Sequence, residues 1–167
     1  MEKSFFSTLW KQKSGEWLSK AITDTANLHN VDTDFINSEV ETFFMKFSTP
    51  DRSESEWYNE YIANNESLKA NFDKVAAASR ITSEKVSFMS DSIKTTIAFL
   101  TGVIAYVVSK CQELTLFKSL LVGALVAILC YYIVGYFQNK ANKRKAKTLT
   151  DNVKRQLDDI YCKFESL

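Results

Sequence analysis

The sequence predicts an all-α membrane protein, a two-transmembrane helical hairpin extended by long cytoplasmic helices. Three observations carry this. Helix breakers are scarce, with 4 glycines and 1 proline in 167 residues, so long helices are expected. Residues 119–139, SLLVGALVAILCYYIVGYFQN, carry no charge; a helix of that length reaches about 30 Å, the hydrocarbon thickness of a bilayer. A second uncharged run, TTIAFLTGVIAYVVS at 95–109, precedes it across the short connection KCQELTLFK, so the chain must turn back at once.

From the N-terminus, Phe5, Phe6, Leu9, Trp10, Trp17, Leu18, Ala21 and Ile22 fall on one helical face within residues 3–27. Two placements are open for it. Trp10 and Phe5 suit a membrane interface with Lys11, Lys13 and Lys20 on lipid phosphates; packing on other cytoplasmic helices is favoured because Glu16 and Asp24 dilute the basic face. Ile36, Val40, Phe43, Phe44 and Phe47 form the next face, with Asp32 or Asp34 as its cap and Ser38 and Glu41 at capping-box spacing. Pro50 suits a first helical position, Trp57, Tyr58, Tyr61 and Ile62 give a further face, and NNES marks a break near residue 65. Residues 1–65 thus read as a cytoplasmic helical module, with nine acidic and two basic residues between 32 and 66.

Residues 66–139 read as a long helix plus the hairpin. Leu68, Phe72, Val75, Ser79, Thr82, Val86, Met89 and Ile93 recur at alternating steps of four and three, a heptad pattern that predicts one helix from near Glu66 into the first span. That span is set at about 92–110: the uncharged core alone covers only about 22 Å, and Lys94 and Lys110 can snorkel to the two interfaces. The second span, 119–139, ends in Tyr131, Tyr132, Tyr136 and Phe137, an interfacial aromatic belt, and is followed by the basic stop KANKRKAK. The flanks of the hairpin carry eight basic residues (Arg80, Lys85, Lys94, Lys140, Lys143, Arg144, Lys145, Lys147) against Lys110 and Lys118 in the loop. The positive-inside rule then puts both termini in the cytoplasm and Cys111 in the outer loop. Residues 140–167 form a cytoplasmic C-terminal helix with its apolar stripe at Leu149, Val153, Leu157, Ile160, Phe164 and Leu167.

Folding the chain about Thr115 sets Ser119, Gly123 and Ala127 opposite Ser109, Ala105 and Thr101 with Gly102, and Val153 and Ile160 opposite Val75 and Leu68. Small residues meet small residues, which is how helices approach in lipid; Ala98, Gly102, Ala105, Ser119, Gly123 and Ala127 are the predicted packing face. Thr95, Thr101, Tyr106 and Ser109 are what remains to line a pore.

Enzyme chemistry and cofactors are not expected. His29 is the single histidine and has no positioned nucleophile; Cys111, Cys130 and Cys162 share no metal-ligand spacing. The acidic pairs at 32/34, 39/41 and 54/56 point to different faces of a helix. The spans carry no charge between their flanking lysines, which argues against ion-coupled transport. The cluster Lys140, Lys143, Arg144, Lys145 and Lys147 has two open uses, a stop-transfer signal in contact with lipid headgroups, or a site for an anionic ligand.

A helical N-terminal module, a tight two-helix hairpin and a C-terminal helix in one short chain resemble the SLATT-type two-transmembrane effectors of bacterial conflict systems, and are similar in idea to Hailong-like channel effectors. The resemblance is one of architecture and brings no functional residue with it. It implies a homo-oligomeric channel or pore in anti-phage defence, gated through its cytoplasmic helices by a nucleotide or oligonucleotide signal or by a partner protein from the same operon. The alternative is a non-conducting anchor whose cytoplasmic helices dock a soluble partner.

Overall fold

With few breakers there are few places for a helix to end. The computed structural model describes residues 2–167 and the side chains from Ser4 onward. It is all-helical, with no strand among the described residues: α1 (Glu2–Ala26), α2 (Thr33–Met45), a 3-10 turn (Lys46–Ser48), α3 (Ser53–Tyr58), a π-helical turn (Asn59–Ala63), α4 (Glu66–Ala78), α5 (Asp91–Cys111) and α6 (Leu116–Glu165). Two compact units emerge, residues up to Lys85 together with Ala146–Leu167, and Val86–Lys145. This redraws the 1–65, 66–139 and 140–167 division, because α6 runs unbroken through residue 139 for 50 residues.

In the first unit, local chemistry sets the helix ends. Leu28 at φ 60 closes α1, with its N–H on Thr25 O at 3.1 Å and that of His29 on Asp24 O at 2.9 Å, the paired bonds of a Schellman cap. Asp32 caps α2 by accepting from Phe35 N at 3.0 Å. Ser38 lies inside α2 rather than at its start, so the Ser38–Glu41 spacing is no capping box. Pro50 sits in the turn before α3 and does not open a helix. Asn65 caps α4 through Ser67 N and Leu68 N at 3.1 and 3.2 Å.

The core of this unit is aromatic. Trp10 and Trp17 are each 2% exposed, so the apolar face of α1 packs inside the unit, the favoured of its two placements. The Phe6 and Phe164 rings lie 4.7 Å apart and those of Phe44 and Phe164 5.1 Å; Phe43, Phe47 and Phe72 complete the cluster. Ring pairs at such spacings add about 0.5–1.5 kcal/mol each beyond the area they bury. Leu149, Val153, Leu157, Ile160 and Phe164 are all buried, so the predicted C-terminal stripe is a core stripe. Tyr58 donates to Asp73 Oδ1 at 3.2 Å; burial, with the nearby Asp73 charge, pushes its phenol up to about 12 and keeps it a donor.

The predicted continuous helix from Glu66 into the first span does not form. α4 stops at Ala78, residues 79–90 take neither helix nor strand, and α5 begins at Asp91 after an extended Ser90. The segment SRITSEKVSFMS is rich in hydroxyl and β-branched residues, which are weak helix formers, and Ser79 turns its hydroxyl back onto Val75 O at 2.7 Å. Ser79 and Ile81 are buried while Arg80 and Thr82 are exposed, the period-two alternation of an extended chain. The four-three spacing survives in the sequence because several of its positions are inward in either conformation.

Gly15, midway along α1, has nothing within 4 Å of where a Cβ would stand. Gly15→Ala is therefore expected to stabilise the first unit by about 0.5–1 kcal/mol, read as a higher midpoint in thermal circular dichroism of the full chain.

Candidate functional site

The second unit is a hairpin of α5 and the first part of α6. Both are long and apolar enough to cross a membrane, and only 17% and 6% of their most apolar windows are buried. Such low burial separates them from core helices. The outward side chains are large and apolar, with Phe99, Ile104, Leu129 and Tyr132 at 67%, 63%, 61% and 70% exposure.

The two helices meet along small residues. A Cβ on Gly102 would stand 2.8 Å from Ala127 Cβ and 3.0 Å from Gly123 O; one on Gly123 would stand 3.0 Å from Gly102 O and 3.1 Å from Tyr106 Cβ. The two glycines thus face each other's carbonyls, a backbone approach that no larger residue permits. Along this seam, where the sequence sets Gly123 opposite Ala105, Ala98, Ser109 and Ser119 are buried and Ala105 and Ala127 half-buried. Its register differs by one position, since Gly123 meets Tyr106 rather than Ala105. The connection is tight: Glu113 at φ 60 closes α5 with bonds to Lys110 O at 3.1 Å and, from Leu114 N, to Ser109 O at 3.4 Å.

The four hydroxyl residues read as pore-lining do not share a free face. Thr95 is exposed with its hydroxyl on Asp91 O at 3.1 Å, and Thr101 bonds Ile97 O at 2.7 Å and faces Cys130 Sγ at 3.6 Å. Tyr106 packs on Gly123, and Ser109 is buried and bonded to Ala105 O. Three of the four belong to the hairpin seam. At the start of α5, Lys94 pairs with Asp91 at 2.8 Å and lies 5.0 Å from the Tyr131 ring. The basic cluster divides as well. Lys140, Lys143, Arg144 and Lys147 are exposed, whereas Lys145 is half-buried and donates to Ser87 O at 2.6 Å.

That last bond belongs to a feature absent from the sequence reading. The extended segment 79–90, hereafter the strap, has its backbone paired by side-chain amides. In the first unit Asn37 donates to Ile81 O at 2.9 Å and accepts from Ile81 N at 2.7 Å, while Gln156 donates to Thr82 O at 2.7 Å and accepts from Thr82 N at 2.8 Å. In the second, Asn142 donates to Met89 O at 3.0 Å and accepts from Met89 N at 3.0 Å, and Gln138 Nε2 adds a bond to Met89 O at 2.9 Å. A primary amide presents one donor and one acceptor side by side, so it can grip a residue's N–H and C=O as a neighbouring strand would. Gln138 and Asn142 are 5% and 4% exposed. Buried amides continuing an otherwise apolar stripe were the available signal, together with the hydroxyl-rich strap sequence.

No family model, curated protein or solved structure matches the chain. The second unit offers an apolar exterior, a close-packed small-residue seam and a backbone latch.

Gly102→Ala forces backbone apart, whereas a Cβ on Gly135 would meet only Lys94 Cδ at 3.8 Å. Gly102→Ala should cost about 1–3 kcal/mol through overpacking and Gly135→Ala should be neutral or stabilising, measured as thermal midpoints of the full chain in one detergent.

Proposed function

We propose that this chain is a two-span membrane effector whose hairpins assemble into a homo-oligomeric channel or pore, gated through its cytoplasmic helices, in the manner of the SLATT-type effectors of bacterial anti-phage defence. The observation that carries this reading is the bare apolar exterior of α5 and of residues 116–137 of α6. In water an apolar face of this extent is strongly unfavourable, and lipid or further copies of the hairpin are what cover it. The basic excess on the flanks orients both termini to the cytoplasm of a cell with an inner membrane. A single hairpin encloses nothing, so conduction requires several copies. With the hydroxyls of Thr95, Thr101 and Ser109 satisfied within their own helix, the pore wall would be apolar and its gate a constriction that dewets. The chain passes between its two units through the strap and through α6, and a nucleotide signal or operon partner acting on the helical unit would reach the hairpin by those two connections. In this reading the chain is no enzyme and needs no cofactor.

One observation favours a second reading. Three of the four candidate pore residues lie in the seam of a single hairpin, as suits a non-conducting anchor that docks a soluble partner.

Reconstitution of the full chain into liposomes loaded with potassium separates the two. A channel is expected to release the ion, with Gly102→Ala reducing the rate at least tenfold. Stable insertion with both termini on one side, yet no release in the presence or absence of linear and cyclic oligonucleotides, would leave the anchor.

A further inference from the structure

Between α2 and α4, within the first unit, runs an open groove of about 650 Å³. Phe44, Phe72 and Met45 give it apolar surface, and Met45 is 62% exposed. Three carboxylates line it, those of Asp34, Glu41 and Asp73, against the one guanidinium of Arg80. All three are exposed, and none has a lysine or arginine partner among the described residues. Asp34 and Glu41 stand seven residues apart on α2, which sets them about 10.5 Å apart along the helix axis and on the same side of it. The groove thus pairs an apolar surface with negative charge at a fixed interval.

A complementary surface lies on the same chain. Lys140 and Lys147 are also seven residues apart, on α6, with Lys143 between them, and all three are exposed. Gln138, Asn142 and Lys145 hold the strap with one side of α6. At about 100° per residue the three lysines fall on the opposite side of that helix. Lys140 lies 6.0 Å from the Tyr136 ring, a contact that does not neutralise its charge. We infer that the groove between α2 and α4 docks the α6 lysine stripe of a second copy of this chain. The equal spacing lets Lys140 and Lys147 meet Asp34 and Glu41 together, and leaves Lys143 for Asp73 on the α4 side. Groove and stripe are different surfaces, so the contact is heterologous, and successive copies close a ring or extend a filament. The inference rests on the oligomeric part of the proposed function and names where copies meet outside the hairpin.

The test is sedimentation velocity of the full chain in detergent. Wild-type self-association is expected to weaken at least about tenfold between low salt and roughly 0.5 M potassium chloride, as for exposed charge pairs. One variant carries Asp34→Lys with Glu41→Lys, and a second carries Lys140→Glu with Lys147→Glu. Each alone sets like charge against like charge across the contact and should associate at least about tenfold more weakly than the wild type. An equimolar mixture of the two restores opposite charges at every contact and should recover the wild-type assembly, which also shows both variants to be folded. Either variant assembling alone as the wild type does, or loss confined to one of them, would overturn the docking. Association that appears only when phosphatidylglycerol is added would assign the lysine stripe to lipid headgroups instead. The salt titration uses the unaltered chain, so indifference to salt overturns the docking whatever the variants do. A wild type that stays monomeric at every salt concentration defeats the oligomeric channel as well, whereas oligomers blind to charge defeat this inference alone.

Discussion

Backbone polar groups that leave a helix must find partners, and in this protein side-chain amides supply them. The twelve residues between α4 and α5 take no helix and have no strand beside them among the described residues, and a buried N–H or C=O left unpaired there would cost about as much as a lost hydrogen bond. Asn37, Gln156 and Asn142 each pair with both backbone groups of one strap residue, Ile81, Thr82 and Met89 respectively. At about 1 kcal/mol net per bond, these contacts hold a segment whose own residues favour no regular structure. Much else follows. Ile81, whose backbone Asn37 grips, is buried at 1% exposure in the first unit. In the second unit Gln138, Asn142 and Lys145 lie at steps of four and three on α6, one per turn along a single stripe, which is the spacing needed to follow a backbone lying against the helix.

The hairpin depends on a different economy of atoms. For a hairpin in lipid, as proposed, burying apolar surface between helices gives no net drive, so close approach supplies the attraction. Gly102 and Gly123 allow each helix to reach the other's carbonyl at about 3 Å. A mid-helix glycine is unfavourable by about 0.5–1 kcal/mol relative to alanine, and here that cost is offset by contact. Gly15 carries the same cost without any contact, which is why the two positions respond in opposite directions to the same substitution. The seam also draws in the hydroxyls of Thr101 and Ser109, so packing within one hairpin and lining of a shared pore compete for the same side chains.

Much of this was legible in the sequence, for identifiable reasons. The apolar runs at 95–109 and 119–139 are single-signal features, since no helix of a small soluble chain could be wrapped on all sides by the rest. The stripe from Leu149 to Phe164 and the face of α2 keep strict helical spacing and became core. Ser119, Gly123 and Ala127 stand four apart in an apolar helix, a spacing of small residues that suits close helix approach. The strap was not found, because Leu68, Phe72, Val75, Ser79, Thr82, Val86, Met89 and Ile93 satisfy a heptad spacing that their chemistry contradicts; hydroxyl and β-branched residues decided the conformation and the spacing did not. The amides that hold it are far away in sequence, as Asn37 and Ile81 or Thr82 and Gln156 illustrate, and no local pattern links them. The one-residue difference in the hairpin register comes from the detail of the Gly123–Tyr106 contact, which numbering about a loop centre does not resolve.

The central claim is that the strap is extended and amide-latched rather than helical, and amide hydrogen exchange of the full chain reads this residue by residue. The account predicts that Ile81, Thr82 and Met89 exchange at least about tenfold more slowly than a free peptide, while Glu84 and Lys85, with exposed side chains on the same strap, exchange quickly. It further predicts that Asn142→Ala releases Met89 and leaves Ile81 and Thr82 protected. Uniform protection from residue 79 to residue 90 would mean a continuous helix, uniform fast exchange would mean no latch, and either pattern would contradict the account.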